Sequence, residues 1–215
     1  MFATCCCPLV DRGKTVTIGA VSVIDEYASA EKAAAMDKFI AEHGHGATFA
    51  AVLSLDGPGR RLGMIVEQVA DEALYIASVD DDDATVVGRY NARAPPDRDL
   101  RAGDYIASAD GMTGDAAFAR LAGQSQVELV IRRPALFTVT VRKNGLPLGF
   151  VLQCDKLGSS LYVLDVEDGG AVKAADVDLE PGDRIVSVNG RAGSPVVLND
   201  ALESSDVLAM MISRP

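Results

Sequence analysis

The chain has 215 residues, 48% hydrophobic and 24% charged, with 20 Lys and Arg against 31 Asp and Glu and a net charge of −11. That balance excludes a general nucleic-acid binder, which needs a basic footprint for phosphate, and simple electrostatic docking on an anionic membrane surface. Three of the four cysteines are adjacent and the two histidines flank one glycine, a pattern that makes neither a disulfide framework nor a zinc site.

In chain order, residues 1–47 come first as an extension. Met1-Phe2-Ala3-Thr4 has no basic n-region or apolar core, so no secretory signal is read there, and a reducing cytoplasm is the expected compartment. Cys5, Cys6 and Cys7, beside Phe2, Leu9 and Val10, are a candidate S-acylation cluster, which would place the chain on a membrane through lipid. Lys14 to Ile24 predicts a strand. Ser29 to Glu42 predicts a helix, capped by Ser29 and ended by Gly44. Leu74 to Val79 predicts a strand, and the polar stretch Arg89–Asp99 a surface loop. Asp80 to Asp83 reads as a solvated loop, since calcium ligation needs alternating spacing. Further on, Phe137 to Arg142 alternates apolar and polar, and Phe150 to Gln153 and Leu161 to Val166 are short β-prone runs. Cys154 follows as an inert thiol. Asp183 to Val188 alternates again and ends on the turn signal Asn189-Gly190. Ser194 as N-cap and Pro195 at N1 begin a helix to about Ser204. Val207 to Ile212 closes the chain as a strand.

An internal repeat organises these elements. Leu100 to Gly111 aligns without gaps on Leu179 to Gly190 at an offset of 79, with six of twelve positions identical. Arg61-Leu62-Gly63-Met64 matches Pro147-Leu148-Gly149-Phe150, and Ile131-Arg132-Arg133-Pro134 matches Ile212-Ser213-Arg214-Pro215. Two related units follow, 48–134 and 136–215, with Asp82-Asp83 set against Gly169-Gly170 and only Ala135 and Leu136 between one unit and the next unit's first strand. The fold class is α+β: two small, partly open barrels or sandwiches of five or six short strands, each capped by a helix.

Each unit resembles a PDZ domain. The residues that carry the likeness in the second unit are Lys143, Pro147-Leu148-Gly149-Phe150, Gly169-Gly170-Ala171 and Leu179 to Gly190. In the first they are Arg61-Leu62-Gly63-Met64 and Leu100 to Gly111. The resemblance implies capture of a partner's C-terminal tail as an added strand, with no catalysis and no cofactor. Partners would be the tails of other proteins, membrane proteins among them. In the second unit Leu148, Gly149 and Phe150 would hold the carboxylate with support from Lys143. Charge-assisted bonds of that kind contribute roughly 1.5–3 kcal/mol each. Leu148, Phe150, Leu152 and Leu202 would line an apolar pocket, with Val151 on the strand and Pro195 and Val196 at the helix start. Arg61, Leu62, Gly63, Met64, Ile65, Val66 and Leu121 are the first unit's counterparts. Seven residues before Leu202 and Leu121 stand Pro195 and Gly114, not the His with which such domains select Ser or Thr; an apolar ligand residue near Val196 is expected instead. The reading is a scaffold or adaptor. The alternatives are a structural tandem whose groove is degenerate or masked, for instance by the chain's own Ile212–Pro215 tail, and a non-catalytic regulatory part of a protease assembly.

Overall fold

The computed structural model describes residues 47–55, 61–68, 74–123, 125–154 and 158–215. The strand and helix expected in residues 14–42, and Cys5, Cys6 and Cys7, lie outside them. The first unit contains β1 (Thr48–Ser54), β2 (Met64–Glu67), β3 (Leu74–Val79), α1 (Val86–Asn91), β4 (Tyr105–Ala109), α2 (Gly114–Gly123) and β5 (Gln126–Arg132). The second contains β6 (Ala135–Arg142), β7 (Phe150–Gln153), β8 (Leu161–Val166), α3 (Ala171–Ala174), β9 (Arg184–Val188), α4 (Pro195–Ser204) and β10 (Val207–Arg214).

Each unit is one antiparallel five-stranded sheet, not a closed barrel, in the order β1-β5-β4-β3-β2 and β6-β10-β9-β8-β7. β2 and β7 are therefore edge strands, each paired on one side only. The irregularities repeat as well. Ile65/Val66 and Val151/Leu152 mark the same register shift against the neighbouring strand. Alternation fills the cores: Phe49, Ala51 and Leu53 point inward from β1, and Val139 and Val141 from β6.

The sequence signals that reveal the repeat are also side-chain contacts. Arg133 Nη1 pairs with Asp104 at 3.2 Å and Arg214 Nε with Asp183 at 2.7 Å. Each arginine also lies over a ring, Phe49 and Phe137 respectively. The partner aspartates accept from the Arg101 and Glu180 amides, tying the Gly-Asp turn to the last strand.

Four local expectations need correction. Arg89, Tyr90 and Asn91 belong to α1 rather than to a loop; Val86 and Val87 are buried in the core, and Thr85 Oγ1 accepts from Gly88 N at the N-cap. Ala135 and Leu136 are the start of β6, so only Arg133 and Pro134 lie between the two sheets. Cys154 is disulfide-bonded rather than an inert thiol. The Ile212–Arg214 segment is held in β10 between β6 and β9 and so is not available to mask a groove.

The two sheets meet over their outer faces. β3 is buried on both sides from Leu74 to Ala77, because Tyr75, Ala77 and Tyr105 turn away from the first core and form their own cluster. Tyr105 Oη reaches the Ser213 hydroxyl at 3.2 Å, and Ser159 Oγ donates to the Ala77 carbonyl. At the centre, Arg184 Nη1 stands 2.6 Å from Glu67 Oε2, with side chains 2% and 1% exposed. Burial here pushes the Tyr75 hydroxyl pKa up to about 12.

Candidate functional site

The Leu-Gly loops are built in the same way in both units. In the second, the Pro147 carbonyl accepts from Ala171 N, the Leu148 carbonyl from Val172 N and the Gly149 carbonyl from Glu167 N. In the first, Arg61, Leu62 and Gly63 accept from Val86 N, Val87 N and Asp80 N. In a trans peptide the N–H lies opposite the preceding carbonyl. Three carbonyls drawn towards the short helix and the adjoining strand therefore turn three successive amides the other way: Leu148, Gly149 and Phe150, and likewise Leu62, Gly63 and Met64. The amides of Leu148, Gly149, Leu62 and Gly63 donate to no other described residue. Converging amides at the start of an edge strand make a site for an anion.

Glycine is required at the loop's centre for two reasons. Gly149 has φ +75°, and a Cβ there would lie 2.5 Å from Gly170 Cα. Gly63 has φ +82°, with Thr85 Oγ1 in the corresponding place. The close approach is thus to the N-cap of the short helix. It also corrects the alignment: Thr85, not Asp82 or Asp83, stands in the first unit where Gly170 stands in the second. Asp82 instead pairs with Arg61 and caps the Ala84 amide.

The predicted apolar residues come together differently in the two units. Leu148, Phe150, Leu152 and Leu202 are all buried and pack in one cluster with Leu198 and Ala201. Pro195 is buried at the start of α4, Val196 is exposed, and Val151 is half-buried on the other side of β7. In the first unit Leu62, Met64 and Val66 are half-buried, Leu121 is buried and Ile65 is exposed. There a cavity of ≈ 230 Å³ remains between the loop and α2, lined by Leu55, Leu62, Val86, Leu121 and Ala122. Phe118, exposed one turn before Leu121 on the same helical face, was not among the predicted residues; the i, i+3 spacing from Leu121 is the signal that points to it. Gln68 Nε2 donates to Asp115 Oδ1 at 2.5 Å, bridging the residue after β2 to the start of α2.

Lys143 Nζ donates to the Glu203 carbonyl at 3.3 Å. The ammonium thus sits at the C-terminal turn of α4, where a cation suits the helix dipole. Among the described residues no group of three or more His, Cys, Asp or Glu could hold a metal ion.

The PDZ domain family model matches residues 138–205. The second unit is therefore similar to the PDZ domain family over this segment. The first unit repeats its strand order, its loop hydrogen bonds and its bulges. Among solved structures, the chain is similar to the INAD PDZ45 tandem in complex with NG2 peptide, at 19% identity over 80% of this chain and 90% of that chain, TM-score 0.32. It is similar also to the PDZ domain of choanoflagellate GIPC bound to B1AR peptide, at 18% identity over 41% of this chain and 92% of that chain, TM-score 0.32. A third is the PDZ domain of choanoflagellate SHANK1 bound to GIRK3 peptide, at 25% identity over 37% and 94%, TM-score 0.30. No curated protein matches the chain.

Proposed function

We propose that the chain is a non-catalytic scaffold or adaptor that binds the C-terminal tails of partner proteins, membrane proteins among them, by adding them as strands to β7 and β2. The observation that carries the reading is the turned loop beside a one-sided strand, present twice. Three amides face away from the short helix at the start of an edge whose outer hydrogen-bonding groups are available for a partner strand. In the first unit an apolar cavity beside those amides accommodates the last ligand side chain, worth about 1.5–3 kcal/mol if it is aliphatic. In the second, Leu148, Phe150 and Leu202 must part to admit one. Two sites in one chain raise the effective concentration of a dimeric or clustered target. A cytoplasmic site of action, with membrane attachment through Cys5, Cys6 or Cys7, belongs to the same proposal.

The test is a free carboxylate against a C-terminal amide. Peptides selected from a C-terminal library on the full chain are expected to lose binding on the order of tenfold or more when amidated. Equal binding of the two forms would falsify the reading.

A further inference from the structure

β2 is a four-residue strand with β3 as its sole partner in the sheet, and its last rung is Glu67 against Tyr75. Both members of that rung touch one residue of the second unit. Arg184 Nη1 donates to Glu67 Oε2 at 2.6 Å, and its guanidinium lies 4.2 Å from the centre of the Tyr75 ring. Ser159 N donates to Glu67 Oε1 at 3.0 Å, and Arg184 Nη1 also reaches the Ser160 hydroxyl at 2.7 Å. The end of the first unit's edge strand is therefore fixed by the second unit. At the end of β7 the equivalent residue, Gln153, makes no side-chain hydrogen bond to a described residue of the first unit, while the Arg184 guanidinium also lies 5.5 Å from the ring of Tyr162, which pairs with Gln153.

Building on the peptide-binding reading, we infer that Arg184 is a positioning residue for the first unit's peptide site. It touches no ligand. It holds Glu67 and Tyr75 in register, and so presents the β2 backbone to an incoming strand. Because linkage is reciprocal, a peptide added to β2 also tightens the union of the two units. The first site is complete only when the second unit is docked.

The experiment uses the full chain as wild type, Arg184→Met, Glu67→Met and the double variant. Amide hydrogen exchange at Met64–Glu67, read without ligand, is expected to rise on the order of tenfold or more in each single variant. It should return towards wild type in the double variant, because an apolar pair leaves no buried charge unpaired. Exchange at Phe150–Gln153 should rise less than at Met64–Glu67, since no residue of β7 forms an ion pair with Arg184. Peptides from a library of free C-termini, followed by their shifts at Met64–Val66, should show the same non-additive loss of affinity. Arg184→Lys, which keeps the charge but not the planar fork, should fall between and serves if Arg184→Met does not fold. Unchanged exchange at Met64–Glu67 in the single variants overturns the inference, as does an additive double variant. If no library peptide binds wild-type β2, the peptide-binding reading of the first unit fails, while the exchange measurement still decides the coupling.

Discussion

The Glu67 carboxylate and the Arg184 guanidinium, 117 residues apart in the chain, meet at 2.6 Å in the seam between the two sheets. One comes from each repeat and both are shut off from water. A pair buried this deeply has a desolvation penalty that its own attraction barely offsets, but removing one partner strands the other. Arg184→Met is expected to lower stability by about 3–5 kcal/mol. Tyr105→Phe, which removes only the hydroxyl bonded to Ser213, should cost about 1 kcal/mol. Urea denaturation of the two variants checks the ranking, and equal losses would show that the seam does not depend on the ion pair.

The loop glycine gives a prediction with an internal control. Gly149→Ala forces a Cβ to 2.5 Å from Gly170 Cα at φ +75°. Gly145 has φ +76° in the same connection, but a Cβ there meets nothing within 4 Å. Gly145→Ala should cost about 1–2 kcal/mol for the left-handed backbone alone. Gly149→Ala should cost more and abolish peptide binding at β7, because the amides move with the loop. Thermal unfolding together with peptide titration separates the two effects.

Asp104 sets a pH dependence. Burial raises its pKa to about 6, and the Arg101 amide and Arg133 only partly oppose that. The folded state thus holds this proton more tightly than the unfolded chain, whose carboxyl titrates near 3.9. The stabilisation is present below about pH 4 and is lost as pH rises through about 6. Relative to Asp104→Asn, wild type should lose up to about 3 kcal/mol between pH 4 and pH 7. Chemical denaturation of both proteins across that range is the measurement, and a constant difference would refute the assignment.

Leu121 and Leu202 occupy equivalent helix positions in different surroundings. Leu202→Ala, made inside a closed cluster, should cost about 2–5 kcal/mol in stability. Leu121→Ala, at the wall of an existing cavity, should fall at the low end of that range. It should also weaken peptide binding at β2 by about tenfold. Calorimetric titration and unfolding of each variant distinguish the two.

Much of each unit could be read locally. Asn189-Gly190 forms its turn with both residues at positive φ, and Pro195 opens α4 after Ser194, although the serine hydroxyl makes no capping bond. α1 could not be read, because Thr85-Val86-Val87-Gly88 combines β-branched residues with glycine, all poor helix formers. What holds it is burial of both valines and the Thr85 cap. The seam left a faint signal. Leu74-Tyr75-Ile76-Ala77 is a continuous apolar run where a half-buried strand would alternate, and Glu67 and Arg184 are the single charges of β2 and β9, each at a strand end.

The sequence by itself determined the duplication, the strands, the Leu-Gly loops and the turn glycines. Period-two alternation and left-handed φ depend on residues only a few positions apart. Only the tertiary structure decided that the units share a face, that Thr85 stands in for Gly170, and that Leu148 and Phe150 are buried while their counterparts Leu62 and Met64 are half-buried. Those outcomes depend on which side chains meet across the fold, and a charge such as Glu67 carries no mark of the partner that will neutralise it.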